Sequence, residues 1–160
     1  MIIWGWTGMS HDASLAVFVD NKLRYARRTQ QYTNVVNDKT LCLPLIADAL
    51  QLGKPKQVYF YEQPWLKKTR QLWAGQYTLL GKESPTRYMR GLWKDAPKST
   101  TVSHHLSHAA AGYYTSSFND AAVLVMDSIG EWNTITIWEG RDGELTRKFS
   151  QNYPHSIGIW

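Results

Sequence analysis

Apolar and polar positions alternate or cluster along this chain in a way that marks out its elements before any chemistry is considered. Ile2-Ile3-Trp4-Gly5-Trp6 reads as a short first strand. Ala13–Val19 (ASLAVFV) predicts a second strand, Asp20-Asn21 a two-residue turn and Lys22–Arg28 a third strand, together a hairpin. Residues 29–40 are polar and without period, which predicts a loop. Leu41, Leu43, Leu45, Ile46, Ala49, Leu50 and Leu52 then form a helical stripe that stops at Gly53 and Pro55. Val58–Tyr61 predicts another short strand, and residues 65–98 one helix followed by an irregular basic excursion. Thr100–Val102 reads as a strand and Ser103 as the N-cap of a small-residue helix. Ala121–Met126 (AAVLVM) is continuously apolar, the pattern of a strand buried on both faces. Asp127 and the segment Ser128-Ile129-Gly130 predict a turn, followed by strands over 132–138 and 144–149 with a turn at 140–143.

That order, three strands in a meander and then strands interleaved with helices, predicts an α/β fold with a mixed sheet. It is the order of a ribonuclease-H-like lobe, one half of the actin-like ATPase architecture. Such proteins hold phosphates with hairpin turns, and neither GxxxxGK[ST] nor GxGxxG occurs here. The 160 residues suffice for one domain, and the final residues, ending at Trp160, suggest a domain that is unfinished.

Composition narrows the class. Apolar residues make up 43%, which excludes a disordered chain. The net charge of +5 suits an anionic ligand as well as it suits nucleic acid. A single cysteine, Cys42, excludes a disulfide framework and a cysteine zinc cluster and fits a reducing cytoplasm. Met1 leads into Ile-Ile-Trp without a basic leader, and no apolar run approaches the roughly 18 residues of a membrane span. The expectation is a cytoplasmic protein with no membrane partner.

The chemistry concentrates between Ser103 and Trp132. Helical spacing of four puts His104 and His108 on one face, a half-site for a transition metal, and the helix N-terminus favours the neutral imidazole that a metal needs. Asp127, at a strand end before a glycine-containing turn, would stand at the sheet rim where open α/β sheets bind ligands. The plainer reading is that these histidines are surface or cap residues and Asp127 only begins a turn. His11-Asp12 falls in a strand-to-strand loop, where an ordinary polar loop is the competing reading. The basic, aromatic-laced segment 65–98 can suggest RNA, but a solvated helix face explains it better.

Four segments in order, HDASLAVFVD, HHLSHAAAGYY, AVLVMDSIGEW and PHSIGIW, resemble the O-carbamoyltransferases of the nodulation and antibiotic-tailoring type, over nearly the whole chain. The resemblance implies the N-terminal lobe of an actin-like transfer domain, with the second lobe and a carbamoyl-adenylate-forming domain absent. It implies transfer of a carbamoyl group from carbamoyl phosphate, through ATP-derived carbamoyl adenylate, to a hydroxyl of a small molecule. It assigns a divalent metal, iron by preference, to His104, His108 and Asp127, with a fourth ligand from the missing lobe. His11 would act in acid–base chemistry or orient substrate, and Asp12, Ser128, Gly130 and Glu131 would face substrate or nucleotide. A C-terminal partner chain or the missing domains would complete the enzyme, and this chain alone would be inactive.

The sequence also departs from that family. Where the family carries Glu-Glu-Arg-Phe-Thr-Arg and then a lysine, this chain has Thr29-Gln30-Gln31-Tyr32-Thr33-Asn34 and Val35-Val36, with Lys39 out of register. Ser128 replaces a usual glycine. Lost charge-assisted contacts favour, as alternatives, a non-catalytic remnant or binding module. The H-x3-H pair and the positive charge leave a third, a relative of the tRNA threonylcarbamoyl-transfer enzymes, although nucleic acid is the less fitting partner.

Overall fold

The computed structural model describes residues 1–10, 12–76 and 84–159. The chain divides into two compact units, Met1–Tyr61 with Glu83–Thr101, and Glu62–Lys82 with Val102–Trp160. The protein is a mixed α/β fold, but its strands form two sheets rather than one.

The first unit contains β1 (Ile2–Thr7), β2 (Ser14–Val19), β3 (Lys22–Arg28), α1 (Gln30–Thr33), α2 (Leu43–Gln51), β4 (Gln57–Phe60), α4 (Pro85–Leu92) and β5 (Ser99–Thr101), with α3 (Pro64–Trp73) belonging to the second unit. Its sheet runs β3-β2-β1-β4-β5. The meander β1–β3 is antiparallel, and β4 and β5 add parallel to β1. This is the ribonuclease-H-like order expected from the sequence. Asp20 and Asn21 both take left-handed backbone (φ 48° and 62°), the primed turn that matches the twist of a two-residue hairpin. Alternation in β1 sends Trp4 and Trp6 to one face, where they are fully buried with Leu15, Val17, Val58 and Phe60. Leu45, Ile46 and Ala49 of α2 and Met89 of α4 join the same core.

Two expectations for this region need correction. Residues 30–33 form a short helix, tied down where Tyr32 Oη donates to Asp48 Oδ2 at 2.5 Å and meets Tyr25 Oη at 2.8 Å. Residues 65–98 hold two helices, not one, each opened by a proline at its first turn, Pro64 and Pro85. Those prolines are start signals, because proline lacks the N–H that a first turn leaves unused. The middle of that segment, 77–83, lies outside the described residues.

The second unit holds α3, α5 (His104–Tyr114), β6 (Ala121–Gly130), β7 (Asn133–Arg141) and β8 (Glu144–Asn152). Its sheet is a second antiparallel meander, β6-β7-β8, separate from the first. The expected mixed sheet is the five-stranded one of the first unit, and the β6–β8 pairing is satisfied by neighbours in sequence. α5 covers one face, with Ala109 against Val125 and Trp138. On the other face Leu124, Met126 and Phe149 are at least half exposed. Ser128-Ile129-Gly130 is not a turn, since β6 continues irregularly through Gly130 and the hairpin turns at Glu131-Trp132. Among the described residues no helix is long and apolar enough to cross a membrane.

Candidate metal centre

α5 starts at His104, and one helical turn separates it from His108. The two imidazoles meet, as the spacing predicted, with their Nε2 atoms 3.1 Å apart. β6 delivers Asp127 to the same point, its Oδ2 2.8 Å from His104 Nε2. One ligand atom from each of the three residues lies within 4.8 Å of the others. His104 is buried, His108 exposed and Asp127 intermediate, so the cluster opens on one side.

The donor set fits a metal ion for a reason visible in the geometry. His104 Nε2 faces both Asp127 Oδ2 and His108 Nε2. A ring nitrogen carries one hydrogen or one lone pair in plane, so it cannot make full hydrogen bonds to both. A cation among the three atoms would satisfy all of them. Ligands held about 2.0–2.2 Å from one ion lie about 3 Å from each other, which is the separation of His104 Nε2 from both His108 Nε2 and Asp127 Oδ2.

The electrostatics agree. The hydrogen bond from His104 holds the Asp127 carboxyl down at about 2, aided by the Ser128 N–H donated to Oδ1 at 2.6 Å. Asp127 is thus an anion at any ordinary pH. Next to the cluster, His105 is 1% exposed, with Nδ1 2.9 Å from Thr136 Oγ1. Burial above all, and then the neighbouring His104, push its imidazole down to about 4. His105 is therefore neutral and structural.

Two glycines let the cluster close. A Cβ on Gly130 would stand 2.5 Å from His104 Cδ2 and 2.7 Å from His105 Cδ2, so both rings lie directly on this strand. A Cβ on Gly158 would meet the Asp127 and Ser128 backbone at 2.7 Å. The PHSIG segment thus buttresses Asp127 from behind, with Ser156 Oγ donating to Ser128 O at 2.7 Å.

Of the other expected site residues, Ser128, Gly130 and Glu131 border the cluster. His11 lies outside the described residues. Asp12 belongs to the first unit, with Oδ2 3.7 Å from Arg28 Nη1. The Ser128 N–H is taken by Asp127, and Gly130 packs on the histidines. Glu131 turns inward and is 6% exposed. Ser103 stands at the helix start without a side-chain cap. In the segment that departs from the family motif, Thr29 is fully buried, Gln30–Thr33 form α1 with Asn34 at its C-cap, and Lys39 is exposed. Sequence reasoning also missed Glu62, 4% exposed and paired with Lys67 at 3.1 Å. Its signal was an acid just before, and a lysine just after, the start of a proline-led helix.

The chain belongs to the carbamoyltransferase N-terminus family, whose model matches residues 1–160. An uncharacterized protein of Synechocystis sp. is 44% identical over 66 residues, which cover 41% of this chain and 11% of that protein. Among solved structures, a Ppx/GppA family protein of Aquifex aeolicus aligns with 95% of this chain and 51% of its own, at 16% identity and TM-score 0.42. A second structure of an Aquifex aeolicus PPX-GPPA enzyme aligns with 98% and 53%, at 14% identity and TM-score 0.44. The chain thus spans a small part of the curated relative and about half of these structures.

Proposed function

We propose that this chain is the N-terminal part of a metal-dependent O-carbamoyltransferase, one that passes a carbamoyl group from carbamoyl phosphate, by way of ATP-derived carbamoyl adenylate, to a hydroxyl of a small molecule. The observation that carries the reading is the convergence of His104, His108 and Asp127 within a region of the chain that matches the family. His104 and His108 would hold a divalent ion, iron by preference, through Nε2, and Asp127 through its carboxylate. When bound, the ion would polarise phosphate or carbamoyl oxygens and offset negative charge on the departing group.

The chain's own residues have distinct parts in this scheme. Asp127 supplies a permanent negative charge that raises the affinity for a dication. His105 holds the first turn of α5 against β7 through Thr136 and stays neutral near pH 7. The open side at His108 leaves room for substrate oxygens and for a further ligand from outside this chain. The role of His11 as acid, base or orienting group rests on the resemblance, as does substrate contact by Asp12.

The test is titration of the full-length protein with Fe(II) or Co(II), followed by transfer of labelled carbamoyl from carbamoyl phosphate and ATP into a panel of hydroxyl compounds. Metal binding that depends on His108, together with label in a hydroxyl product, supports the reading. Metal binding unaffected by His108→Ala, or no label with any acceptor, overturns it.

A further inference from the structure

The turn residue Glu131 is in the wrong place for its type. Its φ is +57°, a left-handed conformation that L side chains with a Cβ disfavour. Among described non-glycine residues with positive φ, every other one except Met9 is Asn or Asp, the types that tolerate it. A tight hairpin would be served better by Asn or Gly. Glutamate here needs a reason beyond the turn.

The reason is where its carboxylate goes. Glu131 Oε1 accepts the backbone N–H of His104 at 3.3 Å and that of Gln63 at 2.5 Å. His104 is the first residue of α5, whose own Ser103 provides no side-chain cap. The orphan N–H of that first turn is therefore capped by a carboxylate 27 residues away in sequence. The same hairpin carries Asp127, which meets the other end of His104 at Nε2. One hairpin thus grips His104 by both main chain and imidazole, and Gly130 between the two carboxylates lets the ring lie flat on it.

We infer that Glu131 is a positioning residue for the metal centre: by capping α5 from the β6–β7 turn, it sets where His104 Nε2 stands relative to Asp127. Only the reach of a glutamate-length side chain does this, so its length matters more than its charge. This inference rests on the proposed metal centre, and its test separates the two.

The experiment compares Glu131→Asp, Glu131→Asn and Glu131→Gln in the full chain. Asp and Asn suit the left-handed turn but are one methylene too short, whereas Gln keeps an acceptor oxygen at the same reach. In metal-free protein, hydrogen exchange of the His104 and Gln63 amides should quicken in the Asp and Asn variants and stay near wild type in Gln. Co(II) affinity should fall about 10–100-fold in the short variants, with a shifted Co(II) absorption band, and remain within several-fold of wild type in Gln. Wild-type amide protection in the short variants would overturn the inference, and so would their wild-type affinity and band. Failure of the wild-type protein to bind Co(II), with the amide effect present, would instead overturn the metal reading and leave the cap in place.

Discussion

Both units are built on a three-stranded antiparallel meander, β1–β3 in one and β6–β8 in the other, and they are stabilised by different means. The first meander is extended by two parallel strands over a core of thirteen buried apolar residues, Trp4 and Phe60 among them. Among the described residues, the second has three in its buried apolar cluster, Ala109, Val125 and Trp138. Its buried interior, over the same described residues, mixes those three, Tyr113 and Ile135 with the polar Glu62, Gln71, His104, His105, Glu131, Thr134 and Thr136. A buried polar group is tolerated only when hydrogen-bonded or paired, so this interior is held by specific contacts where the first unit is held by area. The proposed metal centre lies in the unit with the smaller apolar cluster, where its histidines and carboxylate occupy positions that apolar side chains would otherwise fill.

The contrast can be broken at several points. The largest effect belongs to the apolar side: Trp4→Ala should cost about 3–5 kcal/mol, read as a shift in the urea midpoint, while Co(II) affinity of the folded fraction stays at the wild-type value. A loss of metal affinity in that variant would show that the two units do not separate energetically.

Acid should act on the polar unit next. His105 in the folded protein titrates at about 4, well below the ordinary value of 6.5. Between those values the unfolded chain takes up a proton that the folded chain refuses, so stability falls as pH drops from 6.5 towards 4. The loss should approach about 3 kcal/mol in metal-free protein and level off below pH 4. Asp127, lowered from 3.8 to about 2, adds a further loss only between those two values. Urea unfolding at a series of pH values measures both windows, and His105→Gln should flatten the upper one. A Gln variant with the same slope would assign it to other groups.

The ligand test is comparable in size. His108→Ala should weaken Co(II) binding by more than about 100-fold, equivalent to about 2.7 kcal/mol or more, with little change in unfolding midpoint because His108 is exposed. Calorimetric titration reads the first and thermal melting the second. A stability loss without an affinity loss would make His108 a structural residue.

The smallest effect tests one polar contact. Thr136 Oγ1 meets both His105 Nδ1 and the donated Trp138 Nε1–H, at 2.9 and 2.8 Å. Thr136→Val keeps the shape and removes both, which should cost about 1–3 kcal/mol in thermal unfolding. No change in midpoint would mean that area, not hydrogen bonding, holds this unit as it does the other.

Much of this was readable along the chain. The hairpin at Asp20-Asn21, the stripe of α2 and the meeting of His104 with His108 are local consequences of period and turn type, and the structure has each. What escaped was set by pairing partners. Ser128-Ile129-Gly130 has turn residues, yet it extends β6 because the histidine rings need the open backbone of Gly130 beside them. Ser103 has the right type for an N-cap and does not act as one, since Glu131 takes the role from a distance.

Local patterning by itself therefore determined most of the strands and helices, and placed two histidines on one helical face. It could not say that the strands divide into two sheets, because strand-to-strand choice depends on contacts between residues far apart in sequence. Nor could it say that Asp127 and Glu131 would take His104 from its two ends. Those contacts join residues 23 and 27 positions away, and only the folded hairpin brings its carboxylates to the start of α5.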